Sequence, residues 1–221
     1  MQKFVTAAPV SAVLDIPAGR VRIIAADRAD STVEVLPADP SKGRDVKAAE
    51  RTTVTCADGV LRITATAPEG RLFGTSGSVE VTVQLPAGSG VEARTASAEF
   101  RAVGRLGDVV FEGAYRQIEI DDAASVRLTA VDGDVEVGRL GGAAEISTTR
   151  GDIRIAEAVR GTVVLRTESG DISVGAAAGV SASLDAGTSL GRISNTLKSD
   201  GTAQLDIRAT ASQGDITARS L

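Results

Sequence analysis

Four carboxylates in the second half of the chain each follow a glycine, and their spacing is the first feature that could support chemistry. The four pairs, each followed by Ile or Val, are Gly133-Asp134, Gly151-Asp152, Gly170-Asp171 and Gly214-Asp215. Carboxylates that recur in register could bind calcium, which takes hard oxygen ligands. Two of them could instead be the paired acids of a glycoside hydrolase. A third interpretation is structural, because Asp in a turn accepts hydrogen bonds from nearby backbone N–H groups.

The sequence favours the structural interpretation of these carboxylates. Calcium-binding β-repeats carry a nonapeptide with three glycines before the Asp, whereas each of these segments has one Gly-Asp pair, and Gln117 and Arg192 interrupt the series. Glycan sites use aromatic platforms, and the 221 residues include only four Phe, one Tyr and no Trp. Two functional alternatives stay open: a glycan-active enzyme that uses Asp pairs on one face, and a calcium-stabilised surface adhesin.

A second motif, Gly187-Thr188-Ser189-Leu190-Gly191, matches the Gly-x-Ser-x-Gly pattern of a serine nucleophile. That motif requires a strand-to-helix turn and a His base, but a strand is predicted to follow it and the chain has no His. Because Cys56 is the single cysteine, an intramolecular disulfide and a Cys-rich zinc site are excluded. We therefore predict no catalytic, cofactor-binding or metal-binding residue, no cofactor and no enzymatic activity.

The Gly-Asp pairs belong to a repeat whose copies start at spacings of 18, 17, 18, 19, 21 and 23 residues from Ala98 onward. Each copy contains a strand in which apolar and polar residues alternate, such as Ile153-Arg154-Ile155. A second strand precedes each copy; Val163-Val164-Leu165, for example, precedes the copy that starts at Gly170. Such units bury their apolar face only when coils stack about 4.8 Å apart, with each Gly at a corner. We predict an all-β, single-domain parallel β-solenoid (a β-helix or β-roll) with coils of about 18–20 residues. On its outer face, Glu136 could pair with Arg154 of the next coil.

The first 90 residues keep this β character but lose the regular period. We therefore predict larger, irregular coils in residues 1–90 and regular repeats in residues 91–221, together forming one domain over residues 1–221. Two stretches interrupt the strands: Ala38–Arg51, which is charged and reads as a short helix or a loop, and Ala67–Ser78, which is rich in glycine and polar residues.

Several segments resemble a family of bacterial β-strand repeats. They are the successive Gly-Asp-(Ile/Val) strands, the Thr/Ser-rich strands before them, Val81–Pro86 and Asp58–Ile63. Together they are similar to the putative adhesin family, domain of unknown function family 4097, from about Val10 to the end of the sequence. The resemblance implies the same repeat fold and an adhesive or surface role, and it supplies no catalytic residues.

The predicted function is a non-enzymatic interaction or scaffold module that self-associates. The last coil, Gly214–Leu221, ends without a capping helix or charged cover, so we expect an exposed strand edge there. Two copies would join end to end as a dimer through Ile216, Ala218 and Leu221. The apolar pair Leu72 and Phe73, in an otherwise polar loop, is the candidate contact with a protein or cell-surface partner.

Charge and hydropathy narrow the partners and the compartment. The net charge of −5 argues against nucleic acid as a partner. Neither a run of 18 apolar residues nor an N-terminal signal-like apolar stretch occurs, so membrane insertion is not expected. We expect a cytoplasmic location if the sequence is complete, and a cell-surface location only if an export signal has been removed.

Overall fold

The computed structural model describes residues 1–6, 8–65, 77–113 and 117–221 of the chain. They fall into two compact units, residues 1–116 and 117–221. In each unit, β-strands wind into stacked coils, which confirms the predicted all-β solenoid class. The assignment of residues 1–221 to one domain stays a prediction.

Seven strands are described in the first unit, and two of them are long enough to pass from one wall of a coil to the other. In chain order they are β1 (Gln2–Val5), β2 (Ser11–Ala26), β3 (Asp30–Pro37), β4 (Thr52–Ala57), β5 (Val60–Ala65), β6 (Val79–Pro86) and β7 (Gly90–Gly113). Strand β2 pairs in parallel with β5 and β6 on one side and with β7 on the other. The first coil of the sequence is therefore an inner coil of this unit.

The outer edges of β5 and β6 are covered by antiparallel strands. Strand β4 pairs with β5, β3 pairs with β6, and β1 pairs with β3. Helix α1 (Gly43–Arg51), which occupies most of the charged segment noted in the sequence, connects β3 to β4. Its Asp45 side chain is buried and accepts a 3.0 Å hydrogen bond from the Ser78 backbone N–H. Since β4 and β3 cover β5 and β6, the coil formed by β5 and β6 has no unpaired strand edge among the described residues.

The second unit contains ten strands, which form two walls of parallel strands. In chain order they are β8 (Ile118–Asp132), β9 (Val135–Leu140), β10 (Ala144–Arg150), β11 (Ile153–Ala158), β12 (Gly161–Ser169), β13 (Ile172–Ala176), β14 (Ala182–Leu190), β15 (Ile193–Thr196), β16 (Leu205–Gln213) and β17 (Ile216–Ser220). One wall has the order β8, β9, β11, β13, β17, β15. The other has the order β8, β10, β12, β16, β14.

The order of the coils in space differs from their order in the sequence. The last coil, β16 and β17, lies between the coil of β12 and β13 and the coil of β14 and β15. The prediction that the last coil is the end of the stack is therefore wrong: Ile216 and Ala218, two of its proposed end residues, have a paired strand on each side and are each 1% exposed. The outermost coil is instead formed by β14 and β15.

The predicted alternation along the strands is confirmed. Val135, Ile153 and Ile172 occupy one inward column in register and are at most 1% exposed. Full burial of such a side chain contributes about 1.5–3 kcal/mol, so the repeated column is a main source of stability. On the outer face, Arg154 lies 3.8 Å from Glu136 of the neighbouring coil, as predicted.

Adjacent coils approach most closely at the glycine of each Gly-Asp corner. Gly214 has φ of +140°, and a Cβ built on it would lie 1.9 Å from the Gly170 carbonyl oxygen. Gly170 in turn would place a Cβ 2.1 Å from the Gly151 carbonyl oxygen. Because a β-carbon fits neither the space nor the backbone conformation, the corner requires glycine.

We expect Gly214→Ala to destabilise the protein by about 3 kcal/mol or more, since it combines a clash with backbone strain. Gly43→Ala is the matched control, because a Cβ at Gly43 meets nothing within 4 Å. Urea unfolding of both variants measures the difference. Equal unfolding midpoints for Gly214→Ala and the parent protein would contradict this account of the corners.

Candidate functional site

The four Gly-Asp carboxylates form a ladder of hydrogen bonds along the corners of the second unit. Asp134 Oδ1 accepts the backbone N–H of Asp152 at 2.9 Å, and Asp152 Oδ1 accepts that of Asp171 at 2.7 Å. Asp171 Oδ1 then accepts the backbone N–H of Asp215, which belongs to the inserted last coil, at 2.7 Å. Each carboxylate therefore satisfies a main-chain donor of the next coil.

Arg192 occupies the next position of this column, in the outermost coil. Its backbone N–H donates to Asp215 Oδ1 at 2.9 Å, and its guanidinium donates to Oδ2, with Nη2 at 2.8 Å and Nε at 3.2 Å. The backbone bond, and after it the guanidinium bonds, lower the pKa of Asp215 below its ordinary value. Arg192 therefore ends the ladder, because it supplies a donor but no carboxylate.

This geometry explains the recurring carboxylates by their hydrogen bonds to the next coil. In the described residues, no group of three or more acidic, Cys or His side chains is arranged to hold a metal ion. The calcium and glycan alternatives therefore gain no support from the arrangement of these side chains.

The Gly-x-Ser-x-Gly segment, residues 187–191, lies at the end of β14 and in the corner after it. Strand β15 follows, as predicted, so the helix of a nucleophile elbow is replaced by a strand. Thr188 Oγ1 donates a 3.0 Å hydrogen bond to the Gly214 carbonyl, and Ser189 is exposed. The motif therefore forms part of the outermost coil.

The outermost coil leaves apolar side chains uncovered. Ile193 is 47% exposed, although the equivalent Ile216 of the neighbouring coil is buried. Leu190 is 66% exposed and lies in a column whose next member, Gln213, is exposed as well. Among the described residues, no strand pairs with the outer edges of β14 and β15. We call residues 184–190 of β14 and 193–196 of β15 the open end.

The structure moves the candidate end residues from the last coil to the open end. Of the three predicted residues, only Leu221 is exposed, at 49%, and it follows β17 rather than β15. Two irregularities in the repeat could have identified the outermost coil: Arg192 in the Asp column, and Asn195 in the column that is otherwise apolar. Both residues break the pattern where a further coil is missing.

The other candidate residues from the sequence do not form a further site in the described structure. Leu72 and Phe73 lie outside the described residues. Cys56 is half-buried in β4 as a free thiol. No α-helix in the described ranges has the length and apolar character needed to cross a membrane.

Comparisons with known proteins agree with this architecture. The family model Toastrack DUF4097 matches residues 13–220. A solved structure of a putative adhesin from Bacteroides fragilis is 14% identical, with a TM-score of 0.57, over 100% of this chain and 95% of that chain. A putative cell adhesion protein from Clostridium sporogenes is 11% identical, with a TM-score of 0.41, over 100% of this chain and 98% of that one. No curated protein matches the chain.

We expect Asp171→Ala to destabilise the protein by about 1 kcal/mol, because the Asp215 N–H loses its acceptor. Asp171→Asn keeps an oxygen at that position and should lose less stability. Glu168→Ala, which removes an exposed carboxylate of β12, is the control for charge alone. Urea unfolding would contradict the ladder if Asp171→Ala were as stable as the parent protein, or if Asp171→Asn lost as much.

We expect Arg192→Ala to raise the pKa of Asp215 towards its ordinary value, since the guanidinium bonds are lost while the backbone bond remains. A carboxyl with a lowered folded-state pKa contributes stability above its unfolded-state pKa, and that stability is lost as pH falls through the folded value. In Arg192→Ala, Asp215 should therefore contribute less stability at neutral pH, and the loss of that contribution on acidification should be complete at a higher pH. Carboxyl NMR titration measures the pKa, with the exposed Arg219→Ala as control; an unchanged Asp215 pKa in Arg192→Ala would contradict the expectation.

Proposed function

The chain belongs to the Toastrack DUF4097 family, and we propose that it is a non-enzymatic interaction module that self-associates through the open end of its second unit. The observation that carries this proposal is the outermost coil. Its Leu190 and Ile193 side chains are exposed, and its strand edges carry backbone groups without a paired strand in the described chain. Unpaired edges of this kind are templates for pairing with another chain.

The carboxylate ladder supports the non-enzymatic part of the proposal. Asp134, Asp152, Asp171 and Asp215 are the recurring acids that could have formed a catalytic pair. Each accepts a backbone hydrogen bond from the next coil, and Asp215 is also bound by Arg192. A general acid requires a raised pKa, whereas the pKa of Asp215 is lowered.

The relatives support an interaction role in general terms. The Bacteroides fragilis protein, whose structure shares this fold, is a putative adhesin. We extend to this chain an adhesive role, and the second copy is the partner that the open end itself favours. A strand edge with apolar neighbours is self-complementary when two copies meet about a two-fold axis.

We expect the protein to be a reversible dimer at concentrations of about 10–100 µM, as a small interface allows. Leu190→Asp should shift it to the monomer, because each partner would bury a carboxylate against apolar side chains. Leu36→Asp, at a residue of the first unit with 48% exposure, is the matched control and should remain dimeric. Sedimentation velocity measures both.

Two results of this experiment would count against the proposal. A parent protein that sediments as a monomer at about 100 µM would exclude self-association of useful strength. A Leu190→Asp dimer as tight as that of the parent would show that a surface other than the open end joins the copies.

A further inference from the structure

We infer that two copies pair through antiparallel β14 strands, with the two-fold axis passing at Gly187. This inference rests on the proposed self-association and specifies its register. It follows from four features of the outermost coil: the extent of its free edge, the alternation of its side chains, the glycine at its centre and the end of the carboxylate ladder.

The free part of β14 is centred on Gly187. At the start of the strand, the Ala182 backbone N–H donates to the Lys198 carbonyl at 3.0 Å, so the chain itself occupies that position. The strand ends at Leu190, before the corner at Gly191. The stretch left for a partner runs from residue 184 to residue 190, and its midpoint is residue 187.

The alternation of side chains limits where the axis can lie. Leu184, Ala186 and Thr188 face inward, because their partners in β16 are buried. Leu190 follows them on the same face of the strand, next to Gln213, which is exposed. An axis between two residues would place inward side chains opposite outward ones, which exposes apolar surface on both copies. An axis at Gly187 places Leu184 opposite Leu190 and Ala186 opposite Thr188.

Neighbouring axis positions give poorer pairing. An axis at Ala186 would place Leu190 opposite Ala182, whose N–H is already bound. An axis at Thr188 would place Leu184 opposite Arg192, which lies in the corner and not in the strand. The axis at Gly187 alone uses the whole free stretch and joins leucine to leucine at both ends.

Among the described residues, no contact explains why residue 187 is a glycine. Its φ lies outside the left-handed range, and a Cβ built on it would meet no atom within 4 Å. Residue 187 lies in a shallow depression of the outer face, lined also by Arg166, Arg208 and Thr210. On the two-fold axis, residue 187 of one copy lies opposite residue 187 of the other.

The end of the ladder favours an antiparallel partner over a further parallel coil. Each step of the ladder pairs a corner N–H with a carboxylate of the preceding coil. A parallel coil added beyond Arg192 would find no carboxylate and would leave its corner N–H unpaired. In the antiparallel arrangement, the partner's corner lies at the opposite end of the strand and needs no acceptor from Arg192.

The size of the open end predicts a weak dimer. Seven strand residues span about 24 Å, and the two walls are about 10 Å apart, so the open end of each copy covers about 240 Å². The total of about 480 Å² is well below the area of a stable specific interface. A single closed dimer of weak affinity is therefore expected, and not a fibre, because the two copies cover each other's open ends.

Disulfide trapping tests the register. In a Cys56→Ser background, Gly187→Cys should form a disulfide-linked dimer on mild oxidation, because paired residues lie about 4.5–5.5 Å apart between Cα atoms, within disulfide range. Asp185→Cys alone should not, since its two copies would be about 14 Å apart. Asp185→Cys mixed with Ser189→Cys should form a mixed disulfide, because these positions face each other.

The outcomes separate this inference from the proposed self-association. A dimer in sedimentation of the Cys56→Ser protein, without selective trapping of Gly187→Cys, would overturn the register and leave self-association standing. Trapping of Asp185→Cys alone at the rate of Gly187→Cys would overturn it as well, since it indicates random collision or another register. A monomer in sedimentation would overturn both.

Discussion

Close approach of neighbouring coils at the Gly-Asp corner is the constraint on which the second unit depends. At that corner, backbone meets backbone so closely that Gly170 and Gly214 leave no room for a β-carbon. The N–H of the following residue would lack a partner there, and the Asp carboxylate of the preceding coil accepts it. Glycine therefore permits the stacking distance, and aspartate accepts a hydrogen bond from the backbone N–H of the neighbouring coil. The parallel walls and the apolar columns between them can form only at this spacing.

A stack built in this way must end, and the two units have different ends. In the first unit, the coil of β5 and β6 is covered by antiparallel strands, which pair without a Gly-Asp corner. In the second unit, the coil of β14 and β15 has no such cover within the described residues. Arg192 completes the hydrogen bonding of Asp215 but leaves the strand edges open. The hydrogen bonds at the corners are therefore complete, whereas the strand edges of the walls are unpaired. For this reason the strand edges, and not the acidic residues, are the candidate site.

The sequence predicts the coil and its corners because both depend on local pattern. Alternation identified the inward column of Val135, Ile153 and Ile172, and the pair Glu136 and Arg154 followed from the register. The order of the coils could not be predicted in the same way. Ile216 fits a neighbour at Ile172 as well as one at Ile193, since all three occupy the same column. The stacking order depends on which coil can form the end of the stack. In the sequence, only Arg192 and Asn195 indicated which coil that is.

An exposed strand edge is hazardous for a protein in solution, and the composition of β14 limits the hazard. The free stretch is short, with a glycine at its centre and Asp185 on its outer face. A short edge of this kind pairs weakly with arbitrary strands. It matches its own copy, because a two-fold rotation about residue 187 places Leu184 of one copy opposite Leu190 of the other. Because the free edge of β14 is self-complementary, one second copy covers it, and that edge is then no longer available for aggregation. The short free stretch centred on residue 187 makes the interface small. It also limits the assembly to two copies, because each copy covers the free edge of the other.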